Sequence, residues 1–382
     1  MTIRKKFIGA EKELNSILYN RTEEVHGLML APLAGRNLRG SHTFYLGVPG
    51  TAKSYMAKLF ASMFDYTGKD GSNSYFEYGF NPFTKVTDVF GPTDISALKN
   101  SILKYKSDNY LPNARIAFLD ELGRGEKVLD TLLTIINERE YKVDGKTELA
   151  PLDMVISASN QKITGSHYEA LRDRFLQWFV PAQIDDDDML EYIMHDKPET
   201  LPSFTEVELL QAKTETQSVV ISKEVADLLK EIVLNIRNEK GIVVSDRRIK
   251  MIVPLIKAEA WFNGRTEAIA RDLLPIWSTL WIEPEQIPTV KEVVSEIAVP
   301  VIAEINKIKE DSIILVQDWK RDPVKHRTED VSNKLKKMKK KLSKLVIEPE
   351  DKSALDTADL MISKFQTSVA NILVAEMHNL NI

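Results

Sequence analysis

The stretch Gly47-Val48-Pro49-Gly50-Thr51-Ala52-Lys53-Ser54 decides how the rest of the chain is read. It follows the apolar run 42–46, which reads as a buried strand, and opens the run 54–64, which reads as a helix. A glycine-containing turn between a strand and a helix is the setting in which a lysine-serine pair binds phosphate. Backbone N–H groups of such a loop face phosphate oxygens, helped by the positive end of the helix. Lys53 would then reach the β- and γ-phosphates of a nucleotide, and Ser54 would place its hydroxyl on Mg²⁺. Ala52 stands where glycine is usual before the lysine. A methyl group is tolerated there if φ stays negative. The competing reading is a glycine-containing turn with a chance lysine, and it loses ground to the residues about 70 positions downstream.

There, Ile116-Ala117-Phe118-Leu119-Asp120-Glu121 is an apolar strand ending in two carboxylates. Burying charge at a strand tip is costly, so such a pair faces a ligand or a metal. Asp120 is expected on the Mg²⁺ shell, directly or through its waters, and Glu121 is expected to polarise the attacking water as a general base. Taken alone, both read equally well as solvated acids at the start of a loop. A third strand-length run, 154–158, leads into Ser159-Asn160, where an amide can hold the lytic water or a γ-phosphate oxygen. By itself Asn160 reads as a turn residue.

Composition sets the frame. A chain of 382 residues has room for two or three domains, and 43% hydrophobic with 28% charged residues supports a full core. There is no cysteine, which rules out disulfides, zinc-thiolate sites and thiol catalysis and fits a reducing compartment, so the cytoplasm is the expected location. The N-terminal MTIRKKFIGAEKELN has basic residues without an apolar stretch behind them, unlike a secretory signal. No run approaches the ~18 apolar residues of a membrane span. A net charge of −5 argues against broad charge-driven binding to nucleic acid or anionic lipid, although a local basic patch could still act. The six histidines lack metal-ligand spacing.

Along the chain, apolar runs alternate with helical patterns up to about residue 180, as in α/β proteins. Residues 128–138 are amphipathic at helical spacing, and Asp144-Gly145 within 141–149 signals a hairpin. From 185 to about 281 the pattern is wholly helical, with the acidic run 185–188 as a charged linker. Pro284 and Pro288 break the periodicity. The expected division is therefore a core over 1–184, a helical segment over 185–285 and a tail over 286–382. The tail reads as about three long helices, with Pro300 kinking or splitting one of them. Within 334–344, seven lysines flank a stripe of Leu335, Met338 and Leu342. That stripe can pack with the apolar faces before and after it into a three-helix module. The lysines read first as a solvated face and second as a docking surface for an acidic partner.

Taken in order, GVPGTAKS, FGPTDISALK, YLPNARIAFLDEL, LLTIINERE, ISASN, EALRDRF and VSDRRIK resemble the MoxR family of AAA+ ATPases over about residues 5–285. The RavA-like branch is the most similar group, because it also tolerates alanine before the lysine. The resemblance implies a P-loop α/β core with a parallel sheet, an all-helical lid and assembly as a homo-oligomeric ring, a hexamer. By position it implies that residues 47–54 bind ATP, with Ser54 and Asp120 on Mg²⁺, Glu121 catalytic and Asn160 as the first sensor. It makes Arg174 the arginine finger that reaches the neighbouring subunit, with Arg172 as the runner-up. Arg247 becomes the second sensor, facing the nucleotide in the first turn of a lid helix behind Ser245 as N-cap, with Arg248 as its alternative.

The segment 83–106 matches an insertion that, with the Asp144-Gly145 hairpin, would face the ring's centre and grip a client polypeptide. Phe76, Tyr78, Phe80 and Phe83 nearby read first as core or strand aromatics. RavA itself carries a small β-rich domain in its tail. Here only the stretch 320–330 separates the first two tail helices, too short for a folded domain. The implied function is an ATP-driven ring that remodels or assembles protein clients, with a von Willebrand factor A-domain protein as partner. The alternatives are a nucleic-acid motor and a non-motor switch that orders a partner while ATP is bound. A nucleic-acid motor needs a basic channel, which the mixed-sign insertion (Lys85, Asp88, Asp94, Lys99) does not clearly supply.

Overall fold

The computed structural model describes residues 2–66, 74–161, 166–184, 201–322, 327–347 and 351–379, with Met189 and Ile193, except for the side chains of 166–168, 353 and 373–379. The acidic linker 185–188 lies outside the described residues. The chain divides into two compact units, Met1–Ile287 and Pro288–Ile382.

Eleven strands are described, all in the first unit: β1 Thr43–Leu46, β2 Phe64–Asp65, β3 Tyr75–Gly79, β4 Ile116–Asp120, β5 Glu140–Val143, β6 Lys146–Leu149, β7 Met154–Ser159, β8 Gln177–Phe179, β9 Phe204–Thr205, β10 Val220–Ile221 and β11 Glu267–Ala268. Five of them form one sheet in the order β3-β4-β7-β1-β8, with every neighbouring pair parallel. Every residue of β1 and of β7 is buried, which explains why both appear in the sequence as near-continuous apolar runs. Among the polar exceptions, the Ser157 hydroxyl donates to Leu119 O at 2.7 Å. His42 accepts from Val155 N–H at Nδ1 (2.8 Å) and donates from Nε2 to Ile136 O (2.9 Å). Burial and the nearby Arg139 guanidinium hold its pKa well below the usual range, so it is a neutral core residue.

Helices α1 (Ile3–Ile17) and α2 (Thr22–Leu30) precede the sheet, and α3 (Lys53–Ser62) follows β1. The helix expected over 54–64 stops earlier because the chain turns into β2 at Phe64. There Phe204 N–H donates to Met63 O at 2.6 Å and the Phe64 and Phe204 rings stack at 5.5 Å. Short helices α4 (Val86–Phe90) and α5 (Ile95–Leu98) occupy the insertion. Next, α6 (Glu126–Glu138) buries Val128, Leu129, Leu132, Leu133, Ile135 and Ile136 and ends at Arg139 in the left-handed region (φ 60°). The hairpin β5–β6 turns on Asp144 (φ 54°) and Gly145 (φ 70°), the pair of positive φ values that a type I′ turn demands.

After α7 (Ser166–Arg174) and β8 the pattern becomes helical, as Glu206–Ser218, Lys223–Leu234 and Asp246–Phe262. Beside these helices lie β9, β10 and β11. These two-residue strands close parallel pairs, β9 with β2 and β10 with β11. Two ionic clusters, one buried and one half-buried, tie this segment to the core. Asp153, at the start of β7, accepts from Lys213 Nζ (2.6 and 2.7 Å), Tyr66 OH (2.6 Å) and Gly40 N–H (2.7 Å). His26 of α2 lies between Glu11 of α1 (2.6 Å) and Glu259 (2.7 Å). Burial opposes charge on His26, but the two carboxylates overcome it and push its pKa up to about 10, so the imidazolium holds α1, α2 and the helix Asp246–Phe262 together.

Among the described residues, four helices run from the end of the first unit through the second, where about three were expected: Ile287–Ala298, Pro300–Arg321, Thr328–Leu342 and Lys352–Asn379. Pro288 sits in the first turn of a helix, where its missing N–H costs nothing, and Pro300 opens the next one. The last three helices share a core that includes Ile305, Trp319, Leu335, Leu342 and Ile362, with Met338 against it. The apolar stripe of the basic helix therefore faces inward. Leu360 and Ile372 of the last helix are exposed. No helix among the described residues is long and apolar enough to cross a membrane.

Candidate functional site

Sheet order alone assembles the first part of the site. Strand β7 stands between β1 and β4, with Leu46 opposite Ser159 and Asp120 opposite Ala158. The phosphate loop, the acidic pair and Asn160 therefore leave the same edge of the sheet. Gly47 N–H donates to Ser159 O at 3.0 Å and fixes the start of the loop.

Lys53, almost wholly buried, donates from Nζ to Gly47 O (2.8 Å), Val48 O (2.7 Å) and Asn160 Oδ1 (2.9 Å). Asn160 N–H in turn donates to Glu121 Oε1 at 3.0 Å, and Glu121 N–H donates to Asp120 Oδ1 at 3.0 Å. The four residues thus form one hydrogen-bonded chain. Burial lowers the Lys53 pKa, Asp120 and Glu121 pull it back up, and Arg21 lowers it further. Burial and the Glu121 carboxylate raise that of Asp120, against the Glu121 N–H and Lys53. A polyanion beside Lys53 and a cation beside Asp120 would each relieve these costs. The oxygen donors of Ser54 and Asp120 suit a hard divalent ion, so the residues fit Mg²⁺.

The backbone here departs from expectation at Ala52. Its φ is +61°, not negative, and it occupies the left-handed position directly before α3. Closing the loop between β1 and α3 imposes the conformation for which glycine is usual, and the methyl group is carried at a cost of about 1 kcal/mol. Ala52→Gly is therefore expected to stabilise the chain by about 0.5–1 kcal/mol, read as a higher denaturant midpoint at unchanged slope. A lower midpoint would show that the methyl contributes packing that outweighs its strain. Gly50 (φ 84°) leaves open space, since an added Cβ would meet nothing within 4 Å. Glu121 is also left-handed (φ 54°), and such positions concentrate at functional sites. Reading the sequence missed Arg21, which is buried behind the loop and donates from Nε to Thr51 O at 3.4 Å. A lone arginine ahead of a helix carries no motif.

The other predicted arginines are not in this chain of bonds. Arg172 is buried with its guanidinium 4.9 Å from the Trp178 ring and 5.2 Å from the Trp281 ring. Arg248 is buried too and donates to the carbonyls of Leu176 (3.0 Å), Thr279 (2.9 Å), Phe175 (3.3 Å) and Arg172. Both hold main chain and rings in place within the subunit. Ser245 is the N-cap expected, accepting from Arg248 N–H at 3.1 Å, and Arg247 lies in the first helical turn. Arg247 pairs with Asp173 at 3.0 Å and bonds Asn137. Together with Arg174 it lines a cavity of about 600 Å³ whose wall includes Gly40, Ser41 and His42, the residues leading into β1. The phosphate loop leaves β1 at its other end. Four residues of strand span about 13 Å, so the two arginines lie across the sheet from Lys53 in the same subunit.

Of the aromatics near the insertion, Phe76 and Phe80 are core, whereas Phe83 is 82% exposed. Ile95 and Leu98 of α5 are exposed as well.

Residues 7–228 match the family described as the MoxR domain in the MoxR-vWA-β-propeller ternary systems, and residues 224–294 match an AAA lid domain. An uncharacterized protein of Methanocaldococcus jannaschii is 35% identical over 281 residues, covering 72% of this chain and 71% of that protein. A second from the same organism is 34% identical over 302 residues, covering 77% and 75%. In fold, the chain is similar to the crystal structure of a candidate ATPase from Cytophaga hutchinsonii. The TM-score is 0.60 at 18% identity, over 77% of this chain and 94% of that one. A family match over more than half of the chain, continued by the lid match, makes the chain a member of the MoxR family of AAA+ ATPases.

Proposed function

We propose that this chain hydrolyses ATP as a homo-oligomeric ring, a hexamer, and uses the turnover to remodel or assemble a protein client. The observation that carries the reading is Asn160, which bridges Lys53 and Glu121 and so joins the phosphate loop to the acidic pair. Lys53 binds the β- and γ-phosphates, residues 47–54 cradle them, and Asn160 orients the γ-phosphate or the water. Mg²⁺, held by Ser54 and Asp120, neutralises charge on the phosphate oxygens when bound. Glu121 takes the proton of the attacking water. Arg174 as finger and Arg247 as second sensor lie across the sheet from their own subunit's Lys53, which supports action on a neighbour's nucleotide.

The client surface is the insertion 83–106, where Phe83, Ile95 and Leu98 are exposed, together with the β5–β6 hairpin. The partner proposed is a von Willebrand factor A-domain protein, on the strength of the systems that the matched family describes. The RavA-like reading rests on Ala52, and a cytoplasmic setting rests on the absence of cysteine. The domain division proposed is a core over 1–184, a lid over 185–285 and a tail module over 286–382.

Glu121→Gln tests the chemistry. The amide keeps the acceptor for Asn160 N–H but cannot take a proton, so ATP should still bind while single-turnover hydrolysis falls about 10²-fold or more. Loss of binding in this variant would make Glu121 a structural residue. Stimulation of wild-type turnover by DNA or RNA, with none by protein, would favour a nucleic-acid motor instead.

A further inference from the structure

The cavity that holds Arg174 and Arg247 is lined by three more arginines, Arg36, Arg39 and Arg139. Against these five, the wall supplies two carboxylates, Glu138 and Glu140, Asp173 pairs with Arg247, and His42 is neutral, which still leaves the arginines in excess. A surplus of cation in a recess attracts an anion. Arg174 adds a more specific sign. Its Nε is buried without a hydrogen-bond partner among the described residues, although its terminal nitrogen donates to Ala170 O at 3.1 Å. Burial, and then repulsion from Arg247, pull its pKa below the usual guanidinium range. A phosphate oxygen would satisfy the orphaned donor and separate the two like charges.

Not all five arginines are available for that. Arg139 is buried and donates to the carbonyls of Leu152, Gly40 and Asp153. Arg39 donates to Ala150 O (3.4 Å) and Leu152 O (3.5 Å). Arg36 is exposed on the cavity wall. The loop that presents it, residues 35–40, is tightly built. A Cβ on Gly35 would come within 1.7 Å of Arg39 O, and Gly40 N–H donates to Asp153 at 2.7 Å. Asn37 (φ 55°) and Leu38 (φ 59°) are consecutive non-glycine residues in the left-handed region. Such conformations persist where the surroundings over-determine them and gather at ligand-binding loops. The Arg39 and Gly40 anchors therefore hold a short, rigid turn whose exposed guanidinium is Arg36.

We propose that Arg36 is a third guanidinium of the face that acts across the subunit boundary, contacting the terminal phosphates of ATP held by a second copy of this chain. This rests on the ring reading above. Arg174 and Arg247 supply the deeper donors, and Arg36 closes the cavity mouth over the same phosphate group. Being exposed, Arg36 can be replaced without disturbing the core.

The test uses the full-length assembled protein at saturating ATP. Arg36→Ala should lower kcat about tenfold, the worth of one charge-assisted hydrogen bond to the reacting group. Binding of a fluorescent ATP analogue should stay unchanged, and Arg36→Lys should recover only part of the loss, because lysine lacks the bidentate fork. Mixing Arg36→Ala with Glu121→Gln should restore turnover, since mixed interfaces can pair an intact Glu121 with an intact Arg36. A loss of kcat that mixing does not restore would place Arg36 in its own subunit's chemistry and overturn the proposal. Wild-type turnover in Arg36→Ala, with Arg174→Ala impaired and complemented in parallel, would overturn the role of Arg36 alone. If neither arginine affects turnover, the ring reading falls with it.

Discussion

Lys53→Ala is expected to lower ATP affinity about a hundredfold or more, to the point where binding is no longer measurable at ordinary nucleotide concentrations. The effect is large because Lys53 works twice. It is the side-chain cation of the phosphate loop, and it also offsets Asp120 and Glu121, whose charges raise its own pKa. Without it, two carboxylates would face an incoming polyphosphate with no nearby ammonium. The carbonyls of Gly47 and Val48 and the Asn160 amide oxygen would also lose their donor. Titration with a fluorescent ATP analogue, with circular dichroism to verify the fold, checks the prediction. Near-native affinity in a folded variant would mean that nucleotide binds elsewhere, and the site would have to be abandoned.

The parts of the site that a reader could find in the sequence are those whose chemistry is local. The phosphate loop lies in one stretch of eight residues between strand and helix, and the acids end a run of four apolar residues. Asn160 was legible only beside those two, because the sheet order that puts β7 between β1 and β4 is not written in any single segment. Strand β8 has just three residues between α7 and a loop, too few for periodicity to register. The sign of φ at Ala52 was misjudged because alanine itself favours negative φ, and only loop closure overrides that preference. The aromatic surroundings of Arg172 depend on Trp281, more than a hundred residues away in the chain. Long-range charge was the least legible of all. Arg36, Arg139, Arg174 and Arg247 span over two hundred positions, each alone indistinguishable from a surface arginine, and the fold gathers them into one cavity.

That gathering leads to the largest kinetic effect expected. Arg174→Ala should lower ATP turnover about 10³-fold, the low end of what an arginine finger contributes to transition-state charge stabilisation. Binding of ATP by the subunit that carries the variant should be nearly unchanged, because Arg174 lines a cavity at the opposite end of β1 from Lys53. The same position explains why the effect should complement. In a mixture with Glu121→Gln, a subunit contributing intact Glu121 can meet a neighbour contributing intact Arg174, and that interface holds every group the reaction needs. Turnover should therefore recover on mixing, in proportion to the share of such interfaces, under conditions where subunits exchange. A simple stability defect would not behave this way, since both variants would carry their own losses into the mixed ring. Arg172→Ala supplies the contrast: removing its cation–π contacts to Trp178 and Trp281 should lower the unfolding midpoint, and mixing should not correct it. If Arg174→Ala loses turnover yet fails to recover with Glu121→Gln, Arg174 serves its own subunit, and the cavity it shares with Arg247 would need another occupant.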